Sequence, residues 1–311
     1  MLRSQSAARH RSGPHRQDVR AIGGVLVSRP DKIMYPDQGI TKAEVAVYYH
    51  DVADVMLPHL TDRPITMQRW PNGVDGQSFY EKRVPNHFPD WSATATVGTS
   101  DGPQRQLMVQ DIRTLTYLAD QACLTPHTWL SRVDDLDRPD QLIIDLDPSS
   151  DDLAAVRHAT MIVGEALDDL GLVPFLKTTG SRGYHVLTPI KPALGFADVR
   201  KFARSLADTL AGRHPDLLTT EQRKDRRDDR VFVDVLRNGY GQTAAPPYAL
   251  RGRPGAPVAT PLDWEELPRT APDRFDISSV RRRLQQRDCP WRNLRRHART
   301  LGRVIDRLDR R

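Results

Sequence analysis

Cysteine is nearly absent: the 311-residue chain has two, Cys123 and Cys289, far apart and with no C-x-x-C partner. That spacing excludes a cysteine zinc cluster and argues against a disulfide framework, so both read as ordinary thiols. Long apolar runs are missing too, and none approaches the ~20 residues that a membrane helix needs. The N-terminal stretch MLRSQSAARHRSGPHRQDVR is basic but has neither an apolar core nor a small-residue cleavage site, so it does not read as a secretory signal. These absences make a soluble, cytoplasmic chain with no membrane partner the expectation. Hydrophobic residues make up 38% and charged residues 28% of the sequence, and its length allows a buried core in one large domain or two small ones.

Positive charge is plentiful. A net charge of +6 and a pI near 9.5 favour a polyanionic partner, of which nucleic acid is the commonest. Much of the excess sits at the two ends. Residues 1–22, with Arg3, Arg9, Arg11, Arg16 and Arg20, lack periodicity and are expected to be a disordered basic arm, with order starting at Gly24-Val25-Leu26-Val27. At the other end, Leu294, Ala298, Leu301, Ile305 and Leu308 are spaced as one face of a basic amphipathic helix, expected over residues 286–311 and docked on the domain.

The centre of the chain carries the chemistry. The run LIIDLDP, Leu142 to Pro148, reads as a strand. Side chains alternate on a strand, so Asp145 and Asp147 leave the same face. Unpaired, they would raise each other's pKa; a shared divalent cation with oxygen ligands, Mg²⁺ or Mn²⁺, relieves that. The competing reading is that the pair merely ends a strand and caps the next helix. A third carboxylate weighs against it: VFVDVL, Val231 to Leu236, puts Asp234 where apolar residues are expected.

The surrounding elements are legible from caps and periodicity. Thr41 and Glu44 form a capping box opening a helix over Val45, Tyr48, Val52 and Val55, expected to end at Pro58. RPITMQRW reads as a strand, Pro71-Asn72-Gly73 as a turn, and the adjacent Phe79 and Tyr80 as a strand pair of which at least one ring leaves the core. Thr99 to Gln106 reads as a polar loop, and Asp111 caps a helix over Ile112, Leu115, Leu118 and Ala122. Ser149 or Ser150 is expected to cap a helix that runs to about Leu170 and stops at Gly171. VPFLKTTGSRGYHVLTPI reads as a hairpin whose turn, Thr179 to Gly183, gathers backbone N–H groups, hydroxyls and the Arg182 guanidinium, a set suited to phosphate, with His185 two residues beyond. After a helix over Val199, Phe202, Leu206 and Leu210, TTEQRKDRRDDR reads as a solvated loop, and APPYALRGRPGAP sets Arg251 and Arg253 on irregular backbone.

Asp145-x-Asp147, the Gly-Ser-Arg-Gly-Tyr-His turn and Asp234 follow the order of three motifs of the archaeo-eukaryotic primase superfamily. More closely, the chain resembles the polymerase domain of bacterial ligase D, in the phrases PDKIMYPDQGITK, VMLPHLTDRPIT, WLSRVDDLDRPD, IIDLDP and GQTAAPPYALRGRPGAPVATPLDWEEL. The resemblance implies an α+β fold with mixed or antiparallel central sheets flanked by helices, in a catalytic domain over residues 23–285. It implies Asp145, Asp147 and Asp234 as ligands of two divalent ions, Mn²⁺ or Mg²⁺. Phe79 and Tyr80 fall where the family stacks aromatics on bases, Tyr80 standing where relatives often carry a second phenylalanine. Thr179, Ser181, Arg182 and His185 match the nucleotide-binding turn, in which relatives often have Ser for Thr179 and Lys for Arg182. His127, Arg237 and Arg251 match positions that hold the nucleotide, and Lys32 and Lys42 match a basic pair that grips a 5′-phosphate across a gap. The implied partners are gapped or broken double-stranded DNA, ribonucleoside triphosphates, a separate DNA ligase and an end-binding protein, at the nucleoid. The sequence contains no ligase or phosphoesterase module, so the expectation is a stand-alone relative in end joining or excision-repair gap filling. Two other readings stay open: a D-x-D glycosyltransferase or phosphatase, and a non-catalytic DNA-end-binding protein.

Overall fold

The computed structural model describes residues 18–302, 304 and 305. Its first half runs β1 (Val19–Ile22), β2 (Val25–Ser28), β3 (Ile33–Tyr35), β4 (Ile40–Thr41), α1 (Lys42–Asp51), α2 (Ala53–Leu60), β5 (Pro64–Arg69), β6 (Phe79–Glu81), β7 (Thr94–Thr99), β8 (Gly102–Met108), α3 (Ile112–Asp120) and β9 (Cys123–Trp129). The second half runs β10 (Gln141–Pro148), α4 (Leu153–Asp169), β11 (Phe175–Thr178), β12 (Tyr184–Pro189), α5 (Phe196–Arg213), β13 (Leu218–Thr219), β14 (Val231–Asp234), β15 (Thr243–Ala244), β16 (Pro261–Leu262) and α6 (Ile277–Gln286).

Two mixed or antiparallel sheets form the frame. One has the order β13-β14-β10-β12-β11-β16; the other has β15-β9-β5-β8-β7, with β6 on the far end of β5. The alternation along β10 explains the layering. Leu142, Ile144 and Leu146 face α4 and α5, packing on Val156, Val163, Phe202 and Leu206. Ile143, on the opposite face, joins Leu130, Leu187, Ala244 and Trp291 in a small core between the two sheets. Asp145 and Asp147 share the parity of Ile143, so they point toward the second sheet rather than toward the helices. Behind that second sheet, Val45, Tyr48, Leu115 and Leu118 of α1 and α3 pack with Ile65 and Met67 in the third core.

Several elements depart from expectation for local reasons. Residues 1–17 of the expected arm lie outside the described residues, but Val19–Ile22 is ordered: it pairs with β2 across Gly23-Gly24, both at positive φ, a two-residue hairpin turn that glycine permits. The capping box at Thr41 and Glu44 forms, yet the helix breaks at Val52 and Pro58 lies inside α2 instead of ending it. Pro58 and Asp54 are exposed, so water can satisfy the carbonyl that the missing N–H leaves free. Thr99 to Gln106 is a tight β7–β8 hairpin in place of a loop. Asp152, and neither Ser149 nor Ser150, caps α4 by accepting from the N–H groups of Ala154 and Ala155; Ser149 donates to Arg230 O instead.

The charged stretch before β14 is anchored rather than simply solvated. Arg227 is buried over the Phe232 ring at 3.8 Å and donates to the carbonyls of Glu221 and Gln222. The C-terminal segment docks through Leu294, Leu301 and Val304 but is not one helix. Leu294–His297 is a 3₁₀ turn, and Arg299 then runs extended because Pro189 and Lys191, at the end of β12, take its backbone hydrogen bonds. Leu308 lies outside the described residues.

Candidate active site

Register builds the site. Across β11, β12, β10 and β14, Lys177 lies opposite His185, His185 opposite Asp145, and Asp145 opposite Asp234. Four ionisable side chains therefore form one row on one face of the sheet, with Asp147 two residues farther along β10. Asp145, Asp147 and Asp234 each bring a carboxylate oxygen within 4.8 Å of the others. Such clustering of anions is costly unless something positive offsets it. Burial first, then the charges of Asp145 and Asp234, pushes the Asp147 carboxyl up to about 7. Asp234 is raised by burial and by Asp145. Burial also pushes Asp145 up, but His185, Arg237 and Lys177 more than offset it and hold it below the usual carboxylate range. Asp145 Oδ1 is buried without a hydrogen-bond partner. A hard divalent cation fits this donor set: three carboxylates, mutually repelling, with an unused oxygen in their midst.

Backbone contacts fix the trio. Asp234 Oδ1 accepts from Leu236 N at 2.7 Å, which locks its rotamer where β14 ends. Beyond that point Asn238, fully buried, takes over the β10 edge: it accepts from Ile143 N at 2.9 Å and donates to Ile143 O at 2.7 Å. Gly183 lets the Thr179–Gly183 turn close on β10, since a Cβ there would lie 1.9 Å from Leu146 O, between the two aspartates. Gly180, at φ +63, keeps the turn clear of the Arg251 side chain. Thr179 closes the turn through Gly183: its hydroxyl donates to Gly183 O at 2.8 Å. Ser181 lies at the tip, and Arg182 donates to Pro148 O at 3.1 Å. Arg251 donates to Thr179 O at 3.1 Å, holding its guanidinium at the base of the same turn.

The second sheet supplies the opposite wall. His127 Nε2 donates to Gln68 Oε1 at 3.1 Å, and the ring meets Tyr80 edge-on at 5.6 Å. Burial, with Arg251, Arg237, Lys177 and His185 nearby, holds the His127 imidazole well below its usual range, so it is neutral. Both adjacent aromatics leave the core: Phe79 is 43% exposed and Tyr80 60%. They do so on opposite faces. Tyr80 turns to His127, while Phe79 lies under the Arg69 guanidinium, 5.6 Å from its ring centre. The exposed Arg237 follows Asp234 on the 3₁₀ turn Leu236–Asn238.

Lys32 and Lys42 are brought together, since Lys42 N donates to Lys32 O, but their ammonium groups differ. Lys42 is 3% exposed and its Nζ is 2.8 Å from Asp120 and 2.8 Å from Ser28 O. The anion that a lysine at a helix N-terminus calls for is thus an internal carboxylate. Lys32 is half-buried, its Nζ donating to Pro71 O. Sequence reasoning passed over three residues of this site: Asn238, Arg227, and Lys177, which is 1% exposed. Alternation alone signals Lys177, a charge inside the apolar run FLKT.

The model of the LigD primase-polymerase domain family matches residues 41–291. The chain belongs to that family. By that membership it is a polymerase-type nucleotidyltransferase, and the phosphatase and glycosyltransferase readings fall away. It is 34% identical over 277 residues to the multifunctional non-homologous end joining protein LigD of Mycolicibacterium smegmatis, covering 86% of this chain and 35% of that protein. The bifunctional non-homologous end joining protein LigD of Bacillus subtilis is 31% identical over 264 residues, covering 84% and 42%. The chain thus spans 35% to 42% of the length of these relatives. The polymerase domain of Mycobacterium tuberculosis ligase D, solved in complex with DNA, superposes with a TM-score of 0.83 at 33% identity, covering 88% of this chain and 99% of that one. Among the described residues no helix is long and apolar enough to cross a membrane.

Proposed function

We propose that the chain extends a primer 3′ end at short gaps or broken ends of duplex DNA, copying a template and preferring ribonucleoside triphosphates. The observation that carries this reading is the carboxylate trio within 4.8 Å, set beside the Arg182 turn in a member of a polymerase family. Asp145, Asp147 and Asp234 would hold two divalent ions, Mn²⁺ or Mg²⁺, whose presence there would lower the pKa of the primer hydroxyl and offset charge on the triphosphate. Thr179, Ser181, Arg182 and Arg251 bind the phosphates, with the exposed Arg237 on the other flank. His185 hydrogen-bonds Asp145 and keeps its carboxylate oriented. Neutral His127 and Gln68 offer polar atoms to the sugar, so a 2′-hydroxyl has partners that a deoxyribose leaves unpaired. Tyr80, on the His127 side, stacks on one base, and Phe79, on the other face of β6, on another, without selecting sequence.

The 5′-phosphate across the gap binds at Lys32, with Lys42 behind it. A DNA ligase activity seals the product and an end-binding protein holds the ends, in end joining or excision repair at the nucleoid. Primer extension on a gapped duplex with all four ribo- and deoxyribonucleotides tests the reading. Extension should require added Mn²⁺ or Mg²⁺ and vanish in Asp145→Ala and Asp147→Ala while DNA binding persists. Wild-type extension by either variant would sink it.

A further inference from the structure

His185 has two ring nitrogens, and only one is accounted for. Nε2 lies 3.2 Å from Asp145 Oδ2. Nδ1 is buried and has no hydrogen-bond partner. With Nε2 donating to the carboxylate, a neutral imidazole presents Nδ1 as a bare acceptor, which asks for a donor. Lys177 Nζ is a donor in the same condition: buried, with no hydrogen-bond partner. Lys177 and His185 are directly opposed on adjacent antiparallel strands, where facing Cβ atoms lie about 4.5–5.5 Å apart. A buried amine left without a hydrogen-bond partner is costly whether charged or neutral. Two complementary costs therefore lie side by side, and one contact, direct or through a single water, removes both.

We propose that Lys177 is a positioning residue for Asp145: an N–H of its Nζ donates to Nδ1 of His185, so that His185 keeps Nε2–H turned to the carboxylate. The relay Lys177, His185, Asp145 runs along one row of the sheet and ends on the metal-ligand trio, and in that respect it rests on the function proposed above. Lys177 touches neither nucleotide nor ion in this scheme. Burial and then the Arg251 charge pull the Lys177 amine down to about 7, and Asp145 acts in the opposite direction. Without Lys177 the imidazole is free to flip, which leaves Asp145 to choose between rotamers before it can bind an ion. Partners of metal ligands of this kind change metal affinity about 10–100-fold.

Three variants separate the donor from the charge and from mere packing. Lys177→Met keeps the length and removes the donor, Lys177→Gln restores an N–H donor without charge, and His185→Asn removes the middle of the relay. The ring ¹⁵N resonances of the metal-free protein are recorded first, His185 being assigned by its loss in His185→Asn. The wild type should show the Nε2–H tautomer with Nδ1 accepting a hydrogen bond. Lys177→Met should move the Nδ1 resonance toward that of a free acceptor, and Lys177→Gln should bring it back. Calorimetric titration with Mn²⁺ should show about tenfold weaker binding in Lys177→Met, about wild-type binding in Lys177→Gln, and no further loss when Lys177→Met is added to His185→Asn. An unchanged ring resonance with unchanged Mn²⁺ affinity in Lys177→Met overturns the proposal, as do losses that add in the double variant. If Lys177→Met does not fold, the wild-type spectrum decides alone: a free-acceptor Nδ1, or an Nδ1–H tautomer, overturns it. Neither readout is polymerase activity, so the relay can fail in a protein that still extends primers.

Discussion

Neutralising Asp147 should make the metal-free protein more stable while abolishing its response to metal. The carboxyl, ordinarily near 3.8, is pushed up to about 7 by burial and by Asp145 and Asp234. The folded chain therefore keeps this proton to about pH 7 and the unfolded chain only to about pH 4. Between those values the folded state binds more protons, so the unfolding free energy falls as pH rises through the window. At 1.36 kcal/mol per pH unit the ceiling is on the order of 4 kcal/mol. Asp147 is partly solvated, and screening brings this to roughly 1–2 kcal/mol. The assay is urea unfolding of wild type and Asp147→Asn in chelator from pH 5 to 9, repeated with excess Mn²⁺. Asp234, raised in the same direction, and the depressed histidines titrate in both proteins, so the difference between the two curves isolates position 147. The gap between the two should narrow as pH falls toward 5 and reach its full size above pH 7, so that at pH 8 the variant is the more stable in chelator. Added Mn²⁺ at about a hundred times its dissociation constant should then raise the wild type by about 2.7 kcal/mol and the variant by far less. Parallel pH curves in chelator, or equal stabilisation by Mn²⁺, would refute the reasoning that the trio is a strained anion cluster waiting for a cation.

Steady-state incorporation should favour ribo- over deoxyribonucleotides, and Gln68→Ala should narrow the ratio by releasing His127; an equal or inverted ratio in the wild type counts against the sugar contact. Tyr80→Ala should weaken binding of a gapped substrate by about 1–3 kcal/mol, measured by fluorescence anisotropy, with a smaller change in overall fold stability because the ring is 60% exposed; unchanged affinity removes Tyr80 from the base-stacking surface. Gapped duplexes with and without a 5′-phosphate should bind the wild type differently, and Lys32→Ala should erase most of the difference while leaving the melting temperature near wild type. Lys42→Ala should instead lower stability by roughly 1.5–3 kcal/mol, because it removes the cation of the half-buried Asp120, which then keeps only its hydrogen bonds from Ser28 and Gln121; a stable Lys42→Ala chain that loses only phosphate discrimination would reverse the roles of the two lysines.

Alternation and spacing were enough to set Asp145 and Asp147 on one face, to mark Asp234 as misplaced in an apolar strand, and to predict the capping box at Thr41 and the hairpin around Thr179 to Gly183. These are properties of a few consecutive residues, governed by backbone geometry that neighbours in the chain dictate. The remaining candidate residues came from long phrases that resemble the ligase D polymerase domain. Other features depended on partners distant in sequence. Lys42 looked like a free cation because nothing near it in the chain reveals Asp120, 78 residues on. Phe79 and Tyr80 could be assigned to opposite faces, but only the pairing of β6 with β5 decided that Tyr80 faces His127 and Phe79 faces Arg69. The C-terminal periodicity suggested a helix, and the open backbone at Pro189 and Lys191 drew Arg299 into an extended bridge. The row Lys177, His185, Asp145, Asp234 exists only through register: strands drawn from residues 141 to 234 must align within one residue, and a slip of one would turn every side chain to the other face.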